Sequence, residues 1–297
     1  MCGLTGVILK QKTRSDEELE KISSSFKEML LSANTRGGHA TGFAIIDNNG
    51  DYLLSKKNKN AFEFLKDDKI NENIDFFSKN AVCLLGHTRY ATLGSPTINK
   101  NNHPIRAGNT IGTHNGSIHN HKELFKKFNM ERFAQVDSEA IFRLYETSES
   151  AKDFSENRLP LVRGRVAIVW SDLEYPDYVY IVKANNPLEM VYIPKLNALA
   201  YGSTQTIVNS GLWGVCKPVN IKPNTMLRVN TKTFSIRSKT IKITKPKPKK
   251  HFSFNHKLGI YQNTVQNFVP RFSYNDKQRD IFKQCIASDG SKIRKVK

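Results

Sequence analysis

The chain has 297 residues, 38% of them apolar and 25% charged, enough for one substantial core with an appendage. Its four cysteines, Cys2, Cys83, Cys216 and Cys285, show no paired spacing, which argues against a disulfide framework or a zinc ribbon and fits a reducing, cytoplasmic setting. The net charge of +19 is uneven: residues 241–297 carry 14 Lys/Arg against three Asp, a net of +11, leaving +8 for the rest, and no window approaches a membrane span or a signal peptide.

Residues 3–9 read as a short apolar strand. Ser15-Asp16-Glu17-Glu18 is a capping box, and Leu19, Ile22, Phe26, Met29, Leu30 and Ala33 follow at helical spacing, which predicts a helix over 16–33. Residues 43–46 and 52–55 flank an Asn-Gly turn and predict a hairpin. Residues 81–85 are a continuous apolar run, expected as a buried strand. From Gly86 to Gly116 the chain is rich in Gly, Asn, His and Pro, and is expected to be mostly loop around a short strand at 110–113. A helix is predicted over 138–147. Strands follow at 166–170, 178–182, 190–193 and 198–201, a helix after Ser203, and strands near 226–229 and 234–237. Antiparallel sheets with helices on their outer faces, an α+β architecture, account for this order. The Lys-Pro alternation over 245–250 predicts a linker into a basic C-terminal extension.

Cys2 follows Met1 directly. Once Met1 is removed, a thiol and a free α-amine share one residue, and the amine, with a pKa near about 8, can take the thiol proton. Four more segments gather chemistry: Arg36-Gly37-Gly38-His39-Ala40-Thr41-Gly42, His87-Thr88-Arg89-Tyr90-Ala91-Thr92, His114-Asn115-Gly116 and Asp137-Ser138-Glu139. Taken singly they are ordinary: a surface cation, a turn, an N-cap, structural histidines. A metal site among His103, His114, His119 and His121 is conceivable, but their spacing fits no ligand pattern.

In this order, behind Cys2, the five segments resemble the class II glutamine amidotransferases. That pattern runs Cys-Gly-Ile-x-Gly, Arg-Gly-x-Asp-x-x-Gly, His-Thr-Arg-(Trp/Tyr)-Ala-Thr, His-Asn-Gly and Asp-(Ser/Thr)-Glu. Leu161-Val162-Arg163-Gly164, Asn186-Pro187-Leu188 and Tyr201-Gly202-Ser203-Thr204 also look like the family, so the likeness covers roughly residues 2–230. The resemblance implies a four-layer αββα sandwich of the N-terminal-nucleophile hydrolase type over residues 2–240, with 241–297 as the extension. It implies that Cys2 is the nucleophile and that Asn115 and Gly116 form the oxyanion hole. It implies that Arg89 receives the substrate carboxylate, Asp137 its ammonium, and that Thr92 lies against the substrate. Arg36, His87 and His114 take supporting places.

The activity this implies is hydrolysis of the glutamine side-chain amide through a thioester, with ammonia passed to a synthase on another chain and no cofactor. Two departures stand out. His39 replaces the Asp of Arg-Gly-x-Asp, and Leu93 stands where sugar-using members often carry His, which argues against hexosamine synthesis. Two rival readings remain: a free-standing amidohydrolase of a γ-glutamyl metabolite, and a non-catalytic module binding nucleic acid or protein through the basic tail.

Overall fold

The computed structural model describes residues 1–212 and 214–244 in full, and the backbone of 251–255 and 260–264. In chain order the elements are β1 (Gly3–Leu9), α1 (Asp16–Ala33), β2 (Ala40–Asp47), β3 (Tyr52–Lys57), α2 (Ala61–Leu65), α3 (Asp68–Asp75) and β4 (Ala81–Arg89). Then come β5 (Ile105–Ala107), β6 (Thr110–Ile118), α4 (His121–Lys127), α5 (Glu139–Glu146), α6 (Ala151–Asp153), β7 (Gly164–Asp172) and β8 (Tyr178–Lys183). They are followed by β9 (Glu189–Ile193), β10 (Ala198–Gly202), α7 (Gln205–Ser210), β11 (Lys217–Pro218), β12 (Thr225–Asn230) and β13 (Ile236–Thr240).

The strands form two antiparallel sheets, ordered β11-β9-β10-β1-β4-β2-β3 and β13-β12-β8-β7-β6-β5. Strand alternation assigns each residue to a layer. In β1, Leu4 and Ile8 point into the space between the sheets with Ile46, Leu85, Val169 and Ile181. Val7 and Leu9 point the other way, beneath Phe26, Met29 and Leu30 of α1. On the far face of the second sheet, Ile141, Phe142 and Tyr145 of α5 cover Ile168, Trp170 and Tyr180. Helix, sheet, sheet, helix is the four-layer αββα order expected. Each large side chain so buried contributes about 1.5–3 kcal/mol. The capping box opens α1: the Ser15 hydroxyl accepts from Glu18 N–H and the Glu18 carboxylate accepts from Ser15 N–H.

Three sequence expectations are corrected. The segment 86–116 is less irregular than its composition suggests: β4 runs on through His87-Thr88-Arg89, and β6 runs past Gly116 to Ile118. Polar residues persist there because the two strands face one another and bond across the sandwich, His87 Nε2 lying 3.1 Å from His114 O. The last strand of the second sheet starts at Ile236 instead of 234, since Phe234 sits in a turn at φ +59°. Helices α2, α3 and α4 were not expected; they are short, and only a few of their residues are buried.

Packing of the second sheet continues beyond Thr240. Ile241 is buried in its outer core, and Gly164 N–H donates to Thr244 O at 3.1 Å. By its contacts the chain divides into Met1–Pro246 and Lys247–Lys297. In the second unit, His251–Asn255 and Ile260–Thr264 pair antiparallel. The expected Lys-Pro linker lies outside the described residues, as does most of the basic extension. No helix among the described residues is long and apolar enough to cross a membrane.

Candidate active site

The first sheet places the N-terminus at the end of its central strands. Gly3 pairs with Thr88 of β4, and a Cβ on Gly3 would come 2.5 Å from Thr88 Oγ1 and 2.7 Å from Ala33 O. A glycine is therefore needed for the chain to lie this close. Cys2, just before it, sets its sulfur against the end of β4: Tyr90 N–H faces Sγ at 3.4 Å, and the thiol lies 3.7 Å from Tyr90 O. Burial pushes the Cys2 thiol above its ordinary range; the Tyr90 amide, the terminal amine and the Arg89 guanidinium pull it back, while Asp137 adds to the rise. Arg36, beyond the end of α1, donates from Nε to Cys2 O at 2.9 Å and fixes the nucleophile's backbone.

Arg89 ends β4 on the same side of the strand as His87. Its guanidinium is buried and partly committed: Nη1 donates to Asn102 Oδ1 at 2.9 Å, and Nη2 to Leu93 O and Gly94 O at 2.6 and 2.7 Å. Nε–H and one Nη1–H remain for a ligand. The loop from Tyr90 to Pro104 is thereby folded around the arginine. Asn101 bonds Ser95 O and Gln135, Asn102 bonds Pro96 O, and Lys56 donates to Asn102 O and Pro104 O. Burial lowers the Lys56 ammonium to about 8, with Arg89 adding to the effect. Thr92 stands exposed in this loop, with no side-chain hydrogen bond.

Asp137 precedes α5 and reaches back to β6, its Oδ2 accepting from Ile118 N–H at 2.5 Å. The adjacent Ser138 hydroxyl lies 2.8 Å from His114 Nδ1, whose Nε2 lies 3.2 Å from Arg165 O. A carbonyl only accepts, so Nε2 carries the proton and Nδ1 receives the serine hydroxyl. Asn115 is buried; its Nδ2 donates to Ser203 Oγ at 3.3 Å, and its carbonyl accepts from Asn186 Nδ2 at 2.7 Å. Ser203 Oγ also accepts from Leu4 N–H at 2.8 Å, so one hydroxyl ties the nucleophile's strand to Asn115. Gly116 has φ +154°, and a Cβ there would stand 1.8 Å from Arg165 O. Only glycine fits.

The structure thus gathers Cys2, Arg36, Arg89 and Asp137 around the terminus, and His87, His114, Asn115 and Gly116 on the facing strands. It does not gather the four histidines of the metal reading. His103 stacks on His87 at 4.2 Å inside the sandwich, His119 pairs with Ser117, and among the described residues no three His, Cys, Asp or Glu side chains are grouped to hold a metal. Sequence reasoning gave no role to Ser203, Asn186, Asn101 or Asn102. Ser203 and Asn186 lie in segments that carried the resemblance, which was the available signal; the two asparagines offered none beyond their loop composition. Cys83 is a buried free thiol, and Cys285 lies outside the described residues.

No protein-family model matches the chain. It is 29% identical over 199 residues to a glutamine–fructose-6-phosphate aminotransferase [isomerizing] of Bacillus cereus, spanning 63% of this chain and 30% of that protein. It is 25% identical over 207 residues to a 7-cyano-7-deazaguanine synthase of Sulfolobus acidocaldarius, spanning 68% and 43%. The chain therefore spans less than half the length of these relatives. The fold matches that of a glutamine phosphoribosylpyrophosphate amidotransferase from B. subtilis with a TM-score of 0.62 at 18% identity, over 80% of this chain and 49% of that one.

Proposed function

We propose that this chain, a homologue of the class II glutamine amidotransferases, hydrolyses the side-chain amide of L-glutamine with Cys2 as its nucleophile. The observation that carries the reading is the setting of the Cys2 sulfur, 3.4 Å from Tyr90 N–H with Arg89 and Asp137 in electrostatic reach. With Met1 removed, the Cys2 amine takes the thiol proton and the thiolate attacks the amide carbon. The remaining Nδ2–H of Asn115 and the N–H of Gly116 receive the oxyanion. Collapse of the tetrahedral adduct expels ammonia, which takes its third proton from the Cys2 ammonium and leaves a γ-glutamyl thioester. Water, deprotonated by the same amine, attacks the thioester and releases glutamate and the thiol. Arg89 binds the α-carboxylate through an uncommitted N–H, a charge-assisted hydrogen bond, and Asp137 binds the α-ammonium. Thr92 lies beside the substrate when the loop is occupied. Arg36, His87 and His114 hold the frame.

The ammonia goes to a synthase partner. The relatives differ by name, one an aminotransferase of fructose 6-phosphate and one a synthase of a deazaguanine, so the acceptor does not carry over from them. The glutaminase domain ends after Thr244, the last described residue bonded to its sheets, and the basic remainder serves partner or nucleic-acid binding.

The test is glutamate and ammonia release from L-glutamine by protein whose intact mass shows Met1 removed. Cys2→Ala should fold with an unchanged melting curve and lose essentially all turnover, since no second group can form the thioester. Turnover by Cys2→Ala, or full activity with Met1 retained, would refute the mechanism.

A further inference from the structure

His39 stands where the family pattern has an acidic residue near the nucleophile, and its contacts show what the imidazole does there. His39 precedes β2 and touches three consecutive residues at the end of β4. Its backbone N–H donates to Arg89 O at 3.0 Å. Its ring stacks on Tyr90, with centroids 5.0 Å apart and planes 28° apart. Its Nδ1 lies 3.0 Å from Ala91 N. A backbone N–H can only donate, so Nδ1 is the acceptor and the ring's proton sits on Nε2. The peptide between these anchors carries Tyr90 N–H, the donor facing Cys2 Sγ at 3.4 Å.

We propose that His39 is a positioning residue for the nucleophile: by accepting from Ala91 N–H, it holds the Tyr90 amide aimed at the Cys2 sulfur. A thiolate accepts such a hydrogen bond more strongly than a thiol does, because the acceptor is charged. An amide held in place therefore favours the reactive form, and one left to swing does not. The effect does not come from core packing, because the His39 side chain is exposed. It also leaves the substrate anchors alone: Arg89 keeps its bonds to Leu93 O, Gly94 O and Asn102, and Asp137 keeps Ile118 N–H. His39 therefore acts on the sulfur's reactivity and not on glutamine affinity.

Two substitutions separate the contacts. His39→Phe keeps a ring to stack on Tyr90 and deletes the acceptor; His39→Asn deletes the ring but places Oδ1 where Nδ1 was. The inference rests on the glutaminase reading only for its kinetic arm, so the primary readout is the rate of Cys2 alkylation by iodoacetamide, followed by peptide mass spectrometry on the full chain with Met1 removed. His39→Phe should slow Cys2 alkylation and lower kcat by about five- to tenfold, the size expected of one hydrogen bond, with KM for glutamine nearly unchanged. His39→Asn should stay within about twofold of the parent. His39→Ala supplies the same comparison with the smallest perturbation should the aromatic variant fold poorly. Parent-like alkylation in both His39→Phe and His39→Ala, or an equal loss in His39→Asn, would overturn the proposal. Slowed alkylation in a parent series that never turns over glutamine would leave His39's role standing and remove the activity instead.

Discussion

At the scale of single residues the proposed site divides into groups that meet the substrate's ends and groups that meet its reacting carbon. Arg89 and Asp137 belong to the first kind. Arg89→Ala should raise KM for glutamine strongly, and Arg89→Lys should not restore it. An ammonium has three donors, so one that bonds Asn102, Leu93 O and Gly94 O has none left to offer a carboxylate. Asn115→Ala removes the proposed oxyanion donor, along with its bond to Ser203, and touches neither end of the substrate, so kcat should fall by about 10²–10³ with KM little changed. Steady-state kinetics of the variants side by side checks the division; an Arg89→Ala enzyme with parental KM would take the carboxylate from Arg89. These residues were legible in the sequence because they stand in short motifs whose order is informative. Ser203 and Asn186 were present in family-like segments without a role, because a residue that orients another leaves no spacing rule of its own.

At the scale of elements, the site depends on how β1, β6 and the segment after β10 are joined. The Ser203 hydroxyl accepts from Leu4 N–H and from Asn115 Nδ2, and Ser203 N–H donates to Leu4 O at 2.9 Å. Ser203→Ala leaves Leu4 N–H buried without an acceptor, a cost of about 1–3 kcal/mol, and frees the Asn115 amide to turn. The variant should melt several degrees lower and lose kcat more than it raises KM, measured by calorimetry and steady-state kinetics. Unchanged stability would mean that Leu4 N–H finds another partner.

Elements with a strong hydrophobic period were readable from the chain: α1 with its capping box matches Asp16–Ala33, and β1 matches Gly3–Leu9. The segment 86–116 was misjudged for a physical reason. Polar residues in β4 and β6 look like loop when burial by a second sheet is not visible, yet His87 and His114 sit in regular strands because each ring finds a partner, His87 in His114 O across the sandwich and His114 in Ser138 and Arg165 O. The helices α2 and α3 are too short for period to reveal, and local caps at Asn60 and Asp67 start them.

At the scale of the whole molecule, the two sheets enclose a polar seam in an otherwise apolar interlayer. His87 and His103 are buried in it, stacked on one another, and His114 is buried beside it with its ring turned toward Ser138 at the start of α5. Burial lowers the pKa of each imidazole, and Arg89 and Lys56 push His87 and His103 further in the same direction. His87 is lowered to about 3, burial outweighing the hydrogen bond to His114 O that favours its charged form. In the unfolded chain an imidazole titrates near about 6.5. Below that pH the unfolded state binds more protons than the folded one, so the stability present above pH 6.5 is lost as pH falls toward 3. From His87 alone the loss between pH 7 and pH 5 is about 2 kcal/mol, at about 1.4 kcal/mol per pH unit below 6.5. His87→Phe keeps a ring to stack on His103 but cannot take up a proton. It should be less stable than the parent at pH 7, where the bond to His114 O is missing, yet lose about 2 kcal/mol less on going to pH 5. Urea unfolding of both proteins at the two pH values measures this. An equal acid loss in parent and variant would mean that the seam does not set the acid limit of the fold.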